Sequence, residues 1–223
     1  MGARWVTTTA IHMHNADLLT LTQWLSPAYP VGAFAWSHGL ERAVNRGDVA
    51  DAQNLSDWLH AVLENGAGRS DAILLCAAYN ADDVGPIAEL AGALAPSRQR
   101  KMETLQQGAA FAATTRAGWG FDLPDMAYPV AVGRAARLAD LPVEATTLIW
   151  LQAFASNLIQ CAQRLLPIGQ TKGQQILHDL GSTITCVCAS AQEATLDDIG
   201  SATFAVDTAS MQHADQYARI FRS

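Results

Sequence analysis

The chain has 223 residues, half of them hydrophobic and 16% charged, with a formal charge of −7 at neutral pH. That composition excludes a disordered chain, and an acidic chain without a basic stripe is not built to neutralise nucleic-acid phosphates. Length alone fits one large domain or two small ones.

The amino end, MGARWVTTTAIHMHN, lacks an apolar stretch long enough for a signal peptide and the hydroxyl that a myristoylation signal carries at position 6. Residues 1–15 read as a flexible arm. A first helix is expected over 16–25. It must break at SPAYPVGAFAWSHGLE (26–41): Pro27 and Pro30 fix φ and bias Ser26 and Tyr29 away from helix, and Gly32 permits a close turn. A new helix is expected near Ala35 or Trp36. Tyr29, Val31, Phe34 and Trp36 then crowd a stiff elbow. Two readings stay open, a loop folded onto its own core and a preorganised apolar knob with a low ordering cost on binding.

Leu55, Trp58, Leu59, Val62 and Leu63 form one helical stripe, with Gly66 and Gly68 expected to end it. A second pattern begins near Ser70, with Ile73, Leu74 and Ala77 inward. Ser97 is placed to cap a helix whose face runs through Met102, Leu105, Ala109 and Ala112. AYPVAVGRAARLAD predicts a short helix ending near Asp140. Pro142 opens the longest helix, whose stripe is Leu148, Leu151, Ala155, Leu158, Ile159, Ala162 and Leu165. Within 148–166, Gln152, Asn157, Gln160, Gln163 and Arg164 argue against a membrane span, so the default location is the cytoplasm.

RLLPIGQTKGQQIL (164–177) is a second Pro–Gly break, either an ordinary turn or a close approach of two helices. Thr171 and Gln174 have the spacing of a capping box for the helix beyond it. STITCVC (182–188) alternates like a strand but has no clear partner strand and is read as helix. The end, SMQHADQYARIFRS, sets Tyr217, Ile220 and Phe221 among Arg219 and Arg222, a mixture typical of binding hot spots. It is either a frayed closing turn or a peptide that orders under a partner. No repeat and no linker divides the chain. The expectation is an all-α fold, a single bundle-like domain of roughly eight to ten helices over 16–206, followed by a partner-binding tail over 207–223.

Catalytic signatures are missing. There is no G-x-x-x-x-G-K-[ST], H-E-x-x-H, C-x-x-C or G-x-S-x-G, and GQTKGQ lacks the phosphate-loop spacing. Cys76, Cys161, Cys186 and Cys188 read as buried hydrophobes rather than disulfides. Cys186 and Cys188 would face opposite ways on a helix, and His12 and His14 have no third ligand nearby. Asp82–Asp83 and Asp197–Asp198 read as helix-start carboxylates. No catalytic residue, metal site or cofactor is expected.

Taken in order, LLTLTQWLSPAYPVGAFAWSHGLE, GRSDAILLCAAYNA, PSRQRKMETLQQGAAFAA, YPVAVGRAARLADLP, LQAFASNLIQCAQRLLPIGQTKGQQIL and HADQYARIFRS resemble the urease accessory protein UreF family over most of residues 18–223. The resemblance implies an all-helical homodimer that is not an enzyme. It would bridge a UreD/UreH-type accessory protein and the GTPase UreG so that nickel reaches apo-urease, with no role for nucleic acid or membrane. Carried over by position, the partner-binding residues are Pro30, Gly32, Phe34, Ser37 and Glu41 in the elbow, and Arg164, Pro167, Gly169, Gln170 and Gln175 at the turn. In the tail they are Tyr217, Arg219, Phe221 and Arg222. The chain departs from the family pattern at Ala35–Trp36, Ala127 and Ala214. Alternatives are a direct nickel chaperone using His12, His14 or the cysteine pair, a hydrolase with an apolar pocket, and a regulator that offers Arg219 or Arg222 to the GTPase as an arginine finger.

Overall fold

Helix boundaries follow the punctuation of the sequence. The computed structural model describes residues 13–222, which form α-helices and short 3-10 turns and no strand. The amino-terminal helix α1 (Asn15–Trp24) opens with the His14 amide bonded to Asp17 Oδ2 at 3.1 Å. The elbow follows, with a 3-10 turn at Ala33–Ala35. The next helix, α2 (Leu40–Arg46), starts later than Ala35 or Trp36, because Gly32, His38 and Gly39 all hold positive φ and keep the segment out of helix.

Next come α3 (Ala52–Asn65), α4 (Ala67–Asn80), α5 (Gly85–Ala93) and α6 (Arg98–Trp119). The α3 stripe is buried as its spacing predicts. Gly66 does separate α3 from α4, but Gly68 lies inside α4, where it packs on Leu63. Ser97 Oγ accepts from the Arg100 amide at 3.0 Å, so the expected cap is in place. The expected face of α6 is buried at Ala112 but not along its first two turns. Met102 and Leu105 are exposed, while Arg100, Glu103, Thr104, Gln107, Phe111 and Thr115 turn inward, held by polar partners from α4 and the elbow.

The remaining helices are α7 (Tyr128–Leu138), α8 (Val143–Leu165), α9 (Gln170–Asp179), α10 (Gly181–Glu193) and α11 (Phe204–Gln212). STITCVC is helical, within α10. The predicted capping box at Thr171 does not form. Helix α9 starts two residues earlier with Gly169 at its cap, and no side chain bonds there. The longest helix, α8, touches α1, α2, α3, α4, α7, α9 and α10 and so runs through the middle of the bundle. Around Trp24 the rings of Phe111, Trp119 and Phe121 stand edge-on at 5.3 to 6.4 Å, tying α1 to α6. No helix among the described residues is long and apolar enough to cross a membrane.

Helices α4 and α7 cross in close contact. There a methyl group on Gly133 would run into the Leu75 carbonyl. Gly133→Ala should therefore lower the unfolding free energy by about 1–3 kcal/mol. A urea transition with an unchanged midpoint would contradict the crossing. The thiols supply a second check. Cys186 is exposed, not buried as the sequence reading had it, while Cys76, Cys161 and Cys188 are buried. Burial pushes the Cys161 and Cys188 thiols up to about 12 and raises Cys76 as well. Alkylation of the native chain at pH 8 should modify Cys186 fast and the other three only on unfolding, and equal rates at all four would refute that burial.

Candidate functional site

The elbow bonds part of its own backbone, the Ala35 amide donating to the Gly32 carbonyl and the Trp36 amide to that of Ala33, both at 3.1 Å. Its carbonyls are also served from elsewhere in the chain. Asn157 Nδ2 of α8 donates to the Ala33 carbonyl at 3.2 Å, Arg164 Nη1 to that of Phe34 at 3.0 Å, and Cys161 Sγ to that of Trp36 at 3.3 Å. The Ala35 carbonyl accepts the Arg222 amide at 2.8 Å. Four successive carbonyls are thus bonded by α8 and the carboxyl tail. Tyr29 fixes the near end of the elbow, its hydroxyl 2.9 Å from Thr115 Oγ1 on α6.

At the far end Glu41 is buried in α2, with 2% of its surface exposed. Its Oε1 accepts the Ile220 amide at 2.7 Å, and its Oε2 accepts the Phe221 amide at 3.1 Å. The same Oε2 lies 2.9 Å from Nε2 of the fully buried His213. An ionised carboxylate only accepts, so the Nε2 of His213 carries the hydrogen. Bonds of this charge-assisted kind are shorter and stronger than neutral ones. Gly39 lets the two segments meet: a Cβ there would stand 2.8 Å from the Ser210 backbone nitrogen. Ser210 is tied in turn to Ser97, with their hydroxyls 2.6 Å apart.

The sequence-predicted residues divide accordingly. Phe34, Ser37, Glu41, Arg164, Phe221 and Arg222 come together. Arg164 lies over the Phe221 ring at 4.3 Å, and Arg222 over the Trp36 ring at 5.8 Å with its Nη1 donating to Gln106 Oε1. Ser37, Glu41 and Phe221 are buried by the chain itself, so the contact with a partner expected of them is closed in this conformation. In the tail, read either as a closing turn or as a peptide that orders under a partner, His213 and Phe221 are buried, and α11 runs across residue 207. Phe34, Tyr217 and Ile220 stay exposed, and Arg219 with them. Pro167, Gly169, Gln170 and Gln175 make no hydrogen bond or ion pair to the elbow or tail among the described residues. Pro30 and Gly32 shape the turn.

A second polar group went unnoticed in the sequence because its members are far apart in the chain. Asp71 of α4 pairs with Arg100 of α6, and Glu103 lies 3.8 Å from Arg100 Nη1 and 3.5 Å from His38 Nδ1. Burial alone would raise the Glu103 carboxyl, but Arg100 and His38 outweigh it and hold the group below its usual range. Asp71 goes the other way, burial pushing it up in spite of Arg100. Among the described residues, no three His, Cys, Asp or Glu side chains gather as a metal cluster. Cys186 and Cys188 face opposite sides, His14 sits at the start of α1, and His12 lies outside the described residues.

Fold and site together define an all-α protein whose carboxyl end is clamped into its own first loop. Comparison with known proteins gives this class a family. The UreF family model matches residues 49–181. The urease accessory protein UreF of Roseobacter denitrificans is 48% identical over 97% of this chain and 98% of its own length. Those of Cereibacter sphaeroides strain KD131 and Ruegeria sp. strain TM1040 are 51% and 52% identical, over 94% and 95% of this chain and the whole of theirs. The chain belongs to the UreF family of urease accessory proteins.

The clamp makes a direct prediction. Glu41→Gln keeps the shape but replaces one acceptor oxygen by a donor that faces an N–H. Carboxypeptidase should trim the tail of that variant at least about tenfold faster than the wild type while circular dichroism stays helical. Equal trimming rates would show that the carboxylate does not hold the tail.

Proposed function

We propose that this chain is a non-catalytic scaffold of urease maturation. It bridges a UreD/UreH-type accessory protein and the GTPase UreG, so that the assembled complex hands nickel to apo-urease. It acts in the cytoplasm as a homodimer. The observation that carries the reading is the combination of a rigid clamp with unburied rings on the segments it joins: Phe34 is 71% exposed and Tyr217 wholly so. Leaving large apolar side chains in water forgoes about 1.5–3 kcal/mol each. A surface fixed in advance by hydrogen bonds loses little conformational entropy on docking. Family membership supports the maturation role. In this reading Ser37, Glu41 and Phe221 act from beneath, shaping a surface that Phe34, Tyr217, Ile220 and Arg219 present.

The geometry gives less support to a nickel chaperone and to Arg222 as an arginine finger. A nickel chaperone needs gathered ligands, and the described residues gather none. An arginine finger needs a free guanidinium; Arg222 is engaged with Gln106 and Trp36, which leaves that reading to the exposed Arg219. Nucleotide coupling would come instead from differential binding, since a scaffold shifts an equilibrium only by as much as it prefers one state.

Phe34→Ala combined with Tyr217→Ala should weaken capture of the purified UreD/UreH-type partner by at least about tenfold, with the melting temperature unchanged. Capture at wild-type strength would remove the docking surface from this face.

A further inference from the structure

Between the elbow, α6 and α8 lies a cavity of about 360 Å³ that nothing above has used. Its size is that of a small-ligand pocket. Phe34 stands at its lining, and one wall is the stacked pair of Trp150 and Phe154, ring centroids 5.6 Å apart and planes 4° from parallel. Asp71, Arg100, Glu103 and Gln107, all buried, line it as well. Two carboxylates there face one guanidinium, with His38 behind Glu103. Gln107 Nε2 donates to Glu103 Oε1 at 3.3 Å, and Oε2 lies 3.5 Å from His38 Nδ1 and 3.8 Å from Arg100 Nη1. Aromatic faces and the Glu103 carboxylate both favour a cation, and the apolar wall favours one carried on a hydrocarbon stem. Chemistry argues against a metal ion, because no three-ligand group forms among the described residues.

We infer that this cavity receives an arginine or lysine side chain of the docking partner, its charged head against Glu103 and its stem along Trp150 and Phe154. The inference rests on the docking reading, because the cavity is lined by Phe34, the exposed ring of that face.

The test uses n-butylguanidinium, its neutral isostere n-butylurea, and nickel ion alone as probes of the whole chain. The reporter is the Trp150 indole N–H resonance, assigned by its loss in Trp150→Phe. The guanidinium should shift that resonance saturably, the urea at least about tenfold more weakly, and nickel not at all. Glu103→Gln should bring the guanidinium down to the level of the urea. Equal binding of the two isosteres by the wild type overturns the inference, whatever the variants do. So does a Trp150 signal that moves with nickel alone or with none of the probes, or a folded Glu103→Gln chain that binds like wild type. With the purified partner bound, the resonance should move towards its guanidinium-bound position. If capture succeeds but the resonance stays free and still titratable, a partner's side chain is not the occupant. Failure of capture itself would count against the docking reading instead.

Discussion

A carboxylate leaves water only when other donors replace the water it gives up. Glu41 meets that requirement with groups that are distant in sequence: the amides of Ile220 and Phe221 and the imidazole of His213. The constraint works in both directions. Without the tail, Glu41 would lose the three donors that now stand in for water. Without the carboxylate, two backbone amides and a buried imidazole would lose their acceptor. Elbow and tail therefore behave as one element, although about 180 residues separate them.

The same reciprocity extends to α8. Asn157, Cys161 and Arg164 are spaced so that they face the elbow from successive turns, and each serves one carbonyl of the loop. A proline-stiffened loop joined to a helix at three points and to the tail at a fourth has little freedom left. Rigidity of this kind suits a surface whose work is recognition, because the entropy of ordering is spent in folding and not in binding.

Much of this was legible in the sequence. The stripe of Leu55, Trp58, Leu59, Val62 and Leu63, the cap at Ser97 and the break at Pro27 and Pro30 are local signals, and the chain obeys them. The face of α6 was misread because periodicity counts apolar residues and takes the polar ones as solvated. Arg100 and Glu103 point inward since Asp71 and His38 wait for them on other elements, while Met102 and Leu105 turn out to the surface. The roles of Glu41 and His213 were hidden for the same reason: a partner 172 residues away leaves no trace in a local window. Resemblance implies a partner-binding role for Glu41, whereas in this structure its carboxylate is bonded to the chain's own tail.

The most direct test of this account is hydrogen exchange at the Ile220 and Phe221 amides of the isolated wild-type chain. The account predicts protection far above that of a free peptide, and its loss only in openings that also release Glu41 and the elbow. Exchange at free-peptide rates, with the bundle amides still protected, would contradict it.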